Sequence, residues 1–273
     1  MIKNKKEILK TLCENIKRRM DCAVIGLSGG VDSAVTACIC AKALGNSNVY
    51  CYGMPYYRND WTKYNFNAES IAKVLNVNYK TVPIYDIVEG YRDSILDPIE
   101  GVTKEHLVSR IRTNVLYYYK ELLEEFSNKK VFVVGTSNLT EMFIGNHIKG
   151  GDALGDLFVI GDLYKSEVYE FAQFFAKKKY LEPDLIDYIP TSGLTENKTR
   201  QEEIGYTYEQ IEQVIGDWKE FVTKPEEKNI TELYNVSEMH KFVLESYFSN
   251  KNKYIISNII PLRYIIKKEI FKT

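Results

Sequence analysis

No apolar run in this sequence approaches the roughly 20 residues that a membrane-spanning helix requires. The start, Met-Ile-Lys-Asn-Lys-Lys-Glu, leads into Ile8, Leu9, Leu12 and Ile16, a stripe at helical spacing rather than the apolar core of a secretory signal. A cytoplasmic protein with no membrane partner is the expectation. An excess of charge is also missing: 36 basic residues face 37 acidic ones, so no global field draws the chain to nucleic acid. Any anion must then be held by local geometry. Cys13, Cys22, Cys38, Cys40 and Cys51 form no CxxC pair, and the three histidines stand at no ligand spacing. Reduced, buried thiols are expected rather than a disulfide or a metal-thiolate centre. Internal repeats and low-complexity tracts are absent too.

What is present is an ordinary globular composition, 45% apolar and 27% charged. A length of 273 residues suits one large domain spanning 1–273, with a sheet core over about 1–180 and a helical and loop part over about 181–273. Runs rich in β-branched and aromatic residues predict strands over 22–27, 48–54, 78–84 and 130–135. Helical patterns fill 31–44, 67–75, 105–126 and 163–179, with others near 208–215 and 232–248. Strands alternating with helices predict an α/β fold, a doubly wound parallel sheet with helices on both faces. Ligands bind such sheets at the carboxyl ends of the strands, where Ser28 to Ser33, Pro55 to Arg58 and Thr136 to Glu141 fall. The polar stretch 191–201, TSGLTENKTRQ, reads as a loop.

The segment VIGLSGGVDSAV, residues 24–35, runs a strand into a short glycine loop and out into a helix. Two glycines permit a tight turn and close approach to a ligand, while N–H groups at the helix start point at an anion. No lysine lies in the loop and the GK[ST] ending is missing, so it is not a Walker A loop. Asp32 beside a phosphate implies an intervening cation, and magnesium suits that place. The plainer reading makes Asp32 and Ser33 helix caps over an ordinary turn.

SGGVDS after a first strand resembles the signature of the PP-loop, or N-type, ATP pyrophosphatases. Residues 135–175, GTSNLTEMFIGNHIKGGDALGDLFVIGDLYKSEVYEFAQFF, resemble the core of NAD synthetases, as do EHLVSRIR at 105–112 and EEIGYTYEQIEQVI at 202–215. The resemblance covers about three quarters of the chain and implies an adenine nucleotide alpha hydrolase-like, Rossmann-like fold. It also implies a ligase that amidates nicotinic acid adenine dinucleotide with ATP through an acyl adenylate, releasing AMP and pyrophosphate. Ser28, Gly29, Gly30, Ser33, Thr136, Lys165 and Ser166 would hold ATP and pyrophosphate, with Arg112 on the nucleotide side. Asp32 and Glu141 would bind Mg2+, Asp32 and Lys165 would be catalytic, and Lys149, Asp152 and Asp156 would contact the dinucleotide. Each residue has a plainer reading: Lys165 a solvated helix lysine, Glu141 a first-turn acid, Arg112 a partner for nearby acids, Asp152 and Asp156 turn formers.

The sequence departs from the family pattern at Ile148, Phe158, Val159, Gly193, Arg200 and Gln201, mostly on the acceptor side. The alternative is therefore a divergent amide synthetase adenylating another carboxylate, or an ATP-binding module without this activity. A length of 273 residues leaves no room for an amidase domain, so free ammonia, or ammonia from a separate partner, is the expected nitrogen source. The family resemblance further implies a homodimer, to which the aromatic cluster Tyr117, Tyr118 and Tyr119 could contribute.

Overall fold

Each short β-branched run becomes a buried parallel strand because its alternate side chains face two different helical layers. The computed structural model describes residues 4–56, 63–96, 100–185, 204–223 and 237–250. The strands are β1 (Cys22–Gly26), β2 (Val49–Gly53), β3 (Asn78–Thr81), β4 (Val131–Gly135) and β5 (Leu157–Phe158). They form one sheet in the order β3-β2-β1-β4-β5, with every pair parallel. On β1, Ala23 and Ile25 pack into the layer containing α1 (Lys5–Arg19), α2 (Val31–Leu44), α3 (Lys63–Leu75) and α7 (Lys165–Lys177). Cys22 and Val24 face the opposite layer, against Leu116, Tyr117 and Tyr119 of the long helix α5 (Gly101–Ser127). Helices therefore cover both faces, as the alternation of elements predicts.

The chain lays down β1, β2 and β3 in one direction, then returns to place β4 on the other side of β1. That reversal opens a crevice between the carboxyl ends of β1 and β4, the position where doubly wound sheets bind ligands. α6 (Leu139–Phe143) begins there, four residues beyond β4, with Asn138 as its cap. α8 (Tyr208–Thr223) and α9 (Glu238–Asn250) dock on α6 through a separate apolar cluster of Phe143, Ile144, Ile211, Val214, Ile215, Val243 and Leu244. Phe143 and Tyr247 stack at 4.6 Å between ring centroids.

Two elements go beyond the sequence expectation. The third strand stops at Thr81, and Ile84 turns inward, fully buried, to begin α4 (Tyr85–Ile95) by accepting the Val88 N–H. β5 is two residues long and is fixed by Asp156, whose carboxylate accepts the Val133 N–H at 2.9 Å and the Tyr117 hydroxyl at 3.3 Å. All five cysteines are free, four of them buried, and burial pushes the Cys51 thiol up to about 12. Of the three consecutive tyrosines, Tyr117 and Tyr119 pack on the sheet and Tyr118 stays 59% exposed. The loop 191–201 lies outside the described residues.

Gly135 ends β4 with the Phe158 ring lying where a Cβ would stand, so any side chain there collides with a ring that is itself buried. Gly135→Ala is expected to lower stability by about 1–3 kcal/mol in urea denaturation, with part recovered by adding Phe158→Leu. An unchanged midpoint would show that the ring moves aside freely.

Candidate active site

β1 ends at Gly26, and the chain turns through Ser28, Gly29 and Gly30 into α2. Gly29 has φ +84°, a left-handed conformation that costs glycine little. Ser33 organises the turn: its hydroxyl donates to the Gly30 carbonyl at 3.0 Å and accepts the Ser28 N–H at 3.3 Å, and it lies 3.0 Å from the Ser28 hydroxyl. Gly30 is the N-cap residue of α2, and no side chain caps that helix. The simple capping reading of Asp32 and Ser33 is therefore not what forms. The first N–H groups of α2 are thus left without a capping side chain, an arrangement suited to an anion.

Asp32, in the first turn of α2, meets residues from two other strand ends. Lys165 opens α7, and its ammonium forms a short ion pair with Asp32 Oδ2 and a second, at 3.2 Å, with Glu141 Oε1. Asn138 donates from Nδ2 to Asp32 Oδ1 at 2.8 Å and caps α6 by accepting the Glu141 N–H at 3.0 Å. Lys165 is 1% exposed, so burial alone would push its ammonium down; Asp32 and Glu141 more than offset this and hold it well above the ordinary lysine range. It is a fixed cation, not a base. Burial and the neighbouring Asp32 raise the Glu141 carboxyl, outweighing Lys165.

Asp32 and Glu141 offer hard oxygen donors side by side, and no set of three or more acids, cysteines or histidines among the described residues is able to enclose a metal. That donor set fits Mg2+, which takes one or two carboxylates and completes its shell with water and substrate phosphate.

Behind this cluster lies a layer that motif reading did not assign. Glu212, on α8, accepts Thr140 Oγ1 at 3.0 Å and the Ser166 N–H at 3.0 Å on one oxygen, and the Ser166 hydroxyl on the other. Thr140 Oγ1 in turn accepts the Lys165 N–H at 3.0 Å. A carboxylate thus covers the start of α7, and the Ser166 hydroxyl points to it in the free protein. The signal for Glu212 was the acid closing the helix segment EEIGYTYEQIE; the signal for Asn138 was its place in GTSN.

The remaining expected site residues separate into two groups. Thr136 follows β4 directly, and Arg112 donates from Nε to the Met54 carbonyl at 3.0 Å, just past β2, so both lie along the carboxyl edge. Lys149 and Asp152 sit on the exposed loop after α6, packed on α5. The Lys149 carbonyl accepts Arg110 Nε at 3.2 Å, and Asp152 closes the loop on the Ile148 N–H at 2.7 Å and the Ser109 hydroxyl at 3.3 Å. Asp152 is thus a turn former here, and Asp156 spends its carboxylate inside the sheet, apart from the Lys165 cluster.

A family model described as NAD synthase matches residues 2–254. The chain belongs to the NAD synthase family. It is 31% identical over 255 residues to the NH(3)-dependent NAD(+) synthetase of Fusobacterium nucleatum, covering 93% of this chain and 87% of that protein. The enzyme of the same name from Methanococcus aeolicus is 36% identical over 196 residues, 70% of this chain and 72% of the relative. Among solved structures, the NH3-dependent NAD synthetase of Campylobacter jejuni superposes with a TM-score of 0.69 at 25% identity, covering 92% of this chain and 96% of that one. The NMN synthetase of Francisella tularensis shares the fold at a TM-score of 0.73 and 24% identity, over 92% and 95% of the two chains.

Burial is the main cause that raises the Glu212 carboxyl, against the lowering effect of its bonds to Ser166 and Thr140. A folded value above the unfolded one means that Glu212 costs stability as pH rises from the ordinary glutamate value through the raised one. The stability of Glu212→Gln relative to the unsubstituted protein is therefore expected to improve as pH rises above the ordinary glutamate range in urea titrations. A difference independent of pH would contradict this assignment.

Proposed function

We infer that the protein amidates nicotinic acid adenine dinucleotide to NAD, with ATP and ammonia as co-substrates and AMP and pyrophosphate as products. The observation that carries this reading is the meeting of the SGGVDS loop with Lys165 and Glu141 at the β1–β4 crevice. The names of the chain's relatives, NH(3)-dependent NAD(+) synthetases, support NAD as the product and ammonia as the nitrogen source.

A carboxylate is a poor electrophile, so its oxygen attacks the α-phosphorus of ATP and pyrophosphate departs. The ammonia nitrogen then attacks the acyl carbon, loses a proton and expels AMP, which keeps the carboxylate oxygen. Both steps require negative charge to be neutralised around phosphate. In this proposal Ser28, Gly29, Gly30 and Ser33 cradle the pyrophosphate with the uncapped start of α2. Lys165 supplies a cation that never deprotonates at neutral pH, and Asp32 and Glu141 hold Mg2+. When bound, the ion neutralises the leaving pyrophosphate. Thr136 and Arg112 flank the nucleotide. Ser166 reaches phosphate only by leaving Glu212. Lys149 and Asp152 line the acceptor side through their loop, which Asp156 anchors to the sheet.

The proposal further takes residues 1–273 as one functional unit working as a homodimer with free ammonia or a separate ammonia-supplying partner.

The test follows AMP, pyrophosphate and NAD together in a mixture of ATP, Mg2+, ammonium and the acid dinucleotide. Equal yields are expected, with Asp32→Ala lowering the rate at least about 100-fold. Pyrophosphate that forms only with another carboxylate would replace the acceptor. ATP binding with no pyrophosphate from any carboxylate would reject the ligase reading.

A further inference from the structure

Tyr208 opens α8 and is 3% exposed. Its ring centroid lies 5.5 Å from the Lys165 ammonium, and the Tyr169 ring lies at 5.9 Å. The cation that bridges Asp32 and Glu141 is thus flanked by two phenols. The Tyr208 hydroxyl oxygen is buried and has no hydrogen-bond partner among the described residues.

A buried hydroxyl without a partner destabilises the fold that contains it. Phenylalanine would pack the same ring against Lys165 without that cost, so packing does not account for the oxygen. Burial pushes the phenol up, with Glu141, Asp32 and Tyr169 adding to the effect and Lys165 opposing it. The group therefore keeps its proton and is a donor. The acceptors nearest in charge terms are already engaged: Asp32 by Lys165 and Asn138, and Glu141 by Lys165. What such a donor lacks is an incoming anion drawn to the same ammonium.

We propose that the Tyr208 hydroxyl is a substrate-binding group that donates a hydrogen bond to a polyphosphate oxygen of the nucleotide held between the SGGVDS loop and Lys165. This rests on reading that cluster as the ATP site. It also gives α8 two tasks at one place: Glu212 fixes the start of α7, and Tyr208, one helical turn earlier, meets the ligand that Lys165 attracts.

Tyr208→Phe separates this role from a structural one because the two move stability in opposite directions. The melting temperature of the ligand-free variant is expected to equal or exceed that of the unsubstituted protein. Its affinity for ATP with Mg2+, measured by titration calorimetry without acceptor or ammonium, is expected to fall about tenfold or more. Unchanged ATP affinity would overturn the proposal by showing the hydroxyl idle. A melting temperature lowered by several degrees would also overturn it, since the oxygen would then have a partner within the protein. If the unsubstituted protein binds ATP but forms no NAD, the acceptor assignment fails and the Tyr208 comparison stands. If it binds no ATP, both fail.

Discussion

The ammonium of Lys165, buried between the carboxylates of Asp32 and Glu141, is the interaction on which the site depends. Removing an ammonium from water costs several kcal/mol even after relaxation, and only close, well-formed opposite charge offsets that. The two carboxylates come from chain segments more than a hundred residues apart, one after β1 and one after β4. Lys165 itself follows β5. Only a sheet in which β4 returns to lie beside β1 brings these ends together, so the strand order is a condition of the chemistry. The cluster carries two negative charges against one positive. A polyphosphate entering it therefore needs further cationic help, which the start of α2 and a divalent ion are suited to give.

Around this centre the protein repeats one device, a helix start held by a side chain. Asn138 caps α6 and also restrains Asp32; Glu212 covers the start of α7 and, through Thr140, the Lys165 N–H. The exception is α2, whose N-cap residue is glycine. The contrast has a physical reason. Capped starts keep Glu141 and Lys165 in fixed positions, while an uncapped start leaves N–H donors for a ligand. α8 and α9 contribute from outside the sheet: Ile211, Val214 and Ile215 of α8 share an apolar cluster with Phe143 and Ile144, which helps hold α8 close enough for Glu212 to reach α7.

Much of this was legible in the sequence. The range 31–44 for the helix after the glycine loop matches α2, because glycine at both ends and apolar residues between leave little choice. Four strands follow from their β-branched runs, and the loop, Glu141 and Lys165 follow from motif order. The parts that were not legible depend on tertiary contact. β5 is too short to have a period, and α4 follows a strand whose apolar run continues into it. Glu212 and Asp156 look like surface acids until their partners are known: two helix starts for the first, a strand N–H and a tyrosine for the second. The loop on which the family pattern is most altered, 191–201, lies outside the described residues.

On the function proposed above, this crevice cleaves ATP at the α-phosphorus by attack of the acceptor's carboxylate. The most direct measurement uses acid dinucleotide labelled with oxygen-18 in that carboxylate and follows the label by mass spectrometry in a single turnover with ATP, Mg2+ and ammonium. The expected result is one labelled oxygen in AMP and none in pyrophosphate. Label in inorganic phosphate with ADP as the other product would contradict the account, because attack would then have fallen on the γ-phosphorus.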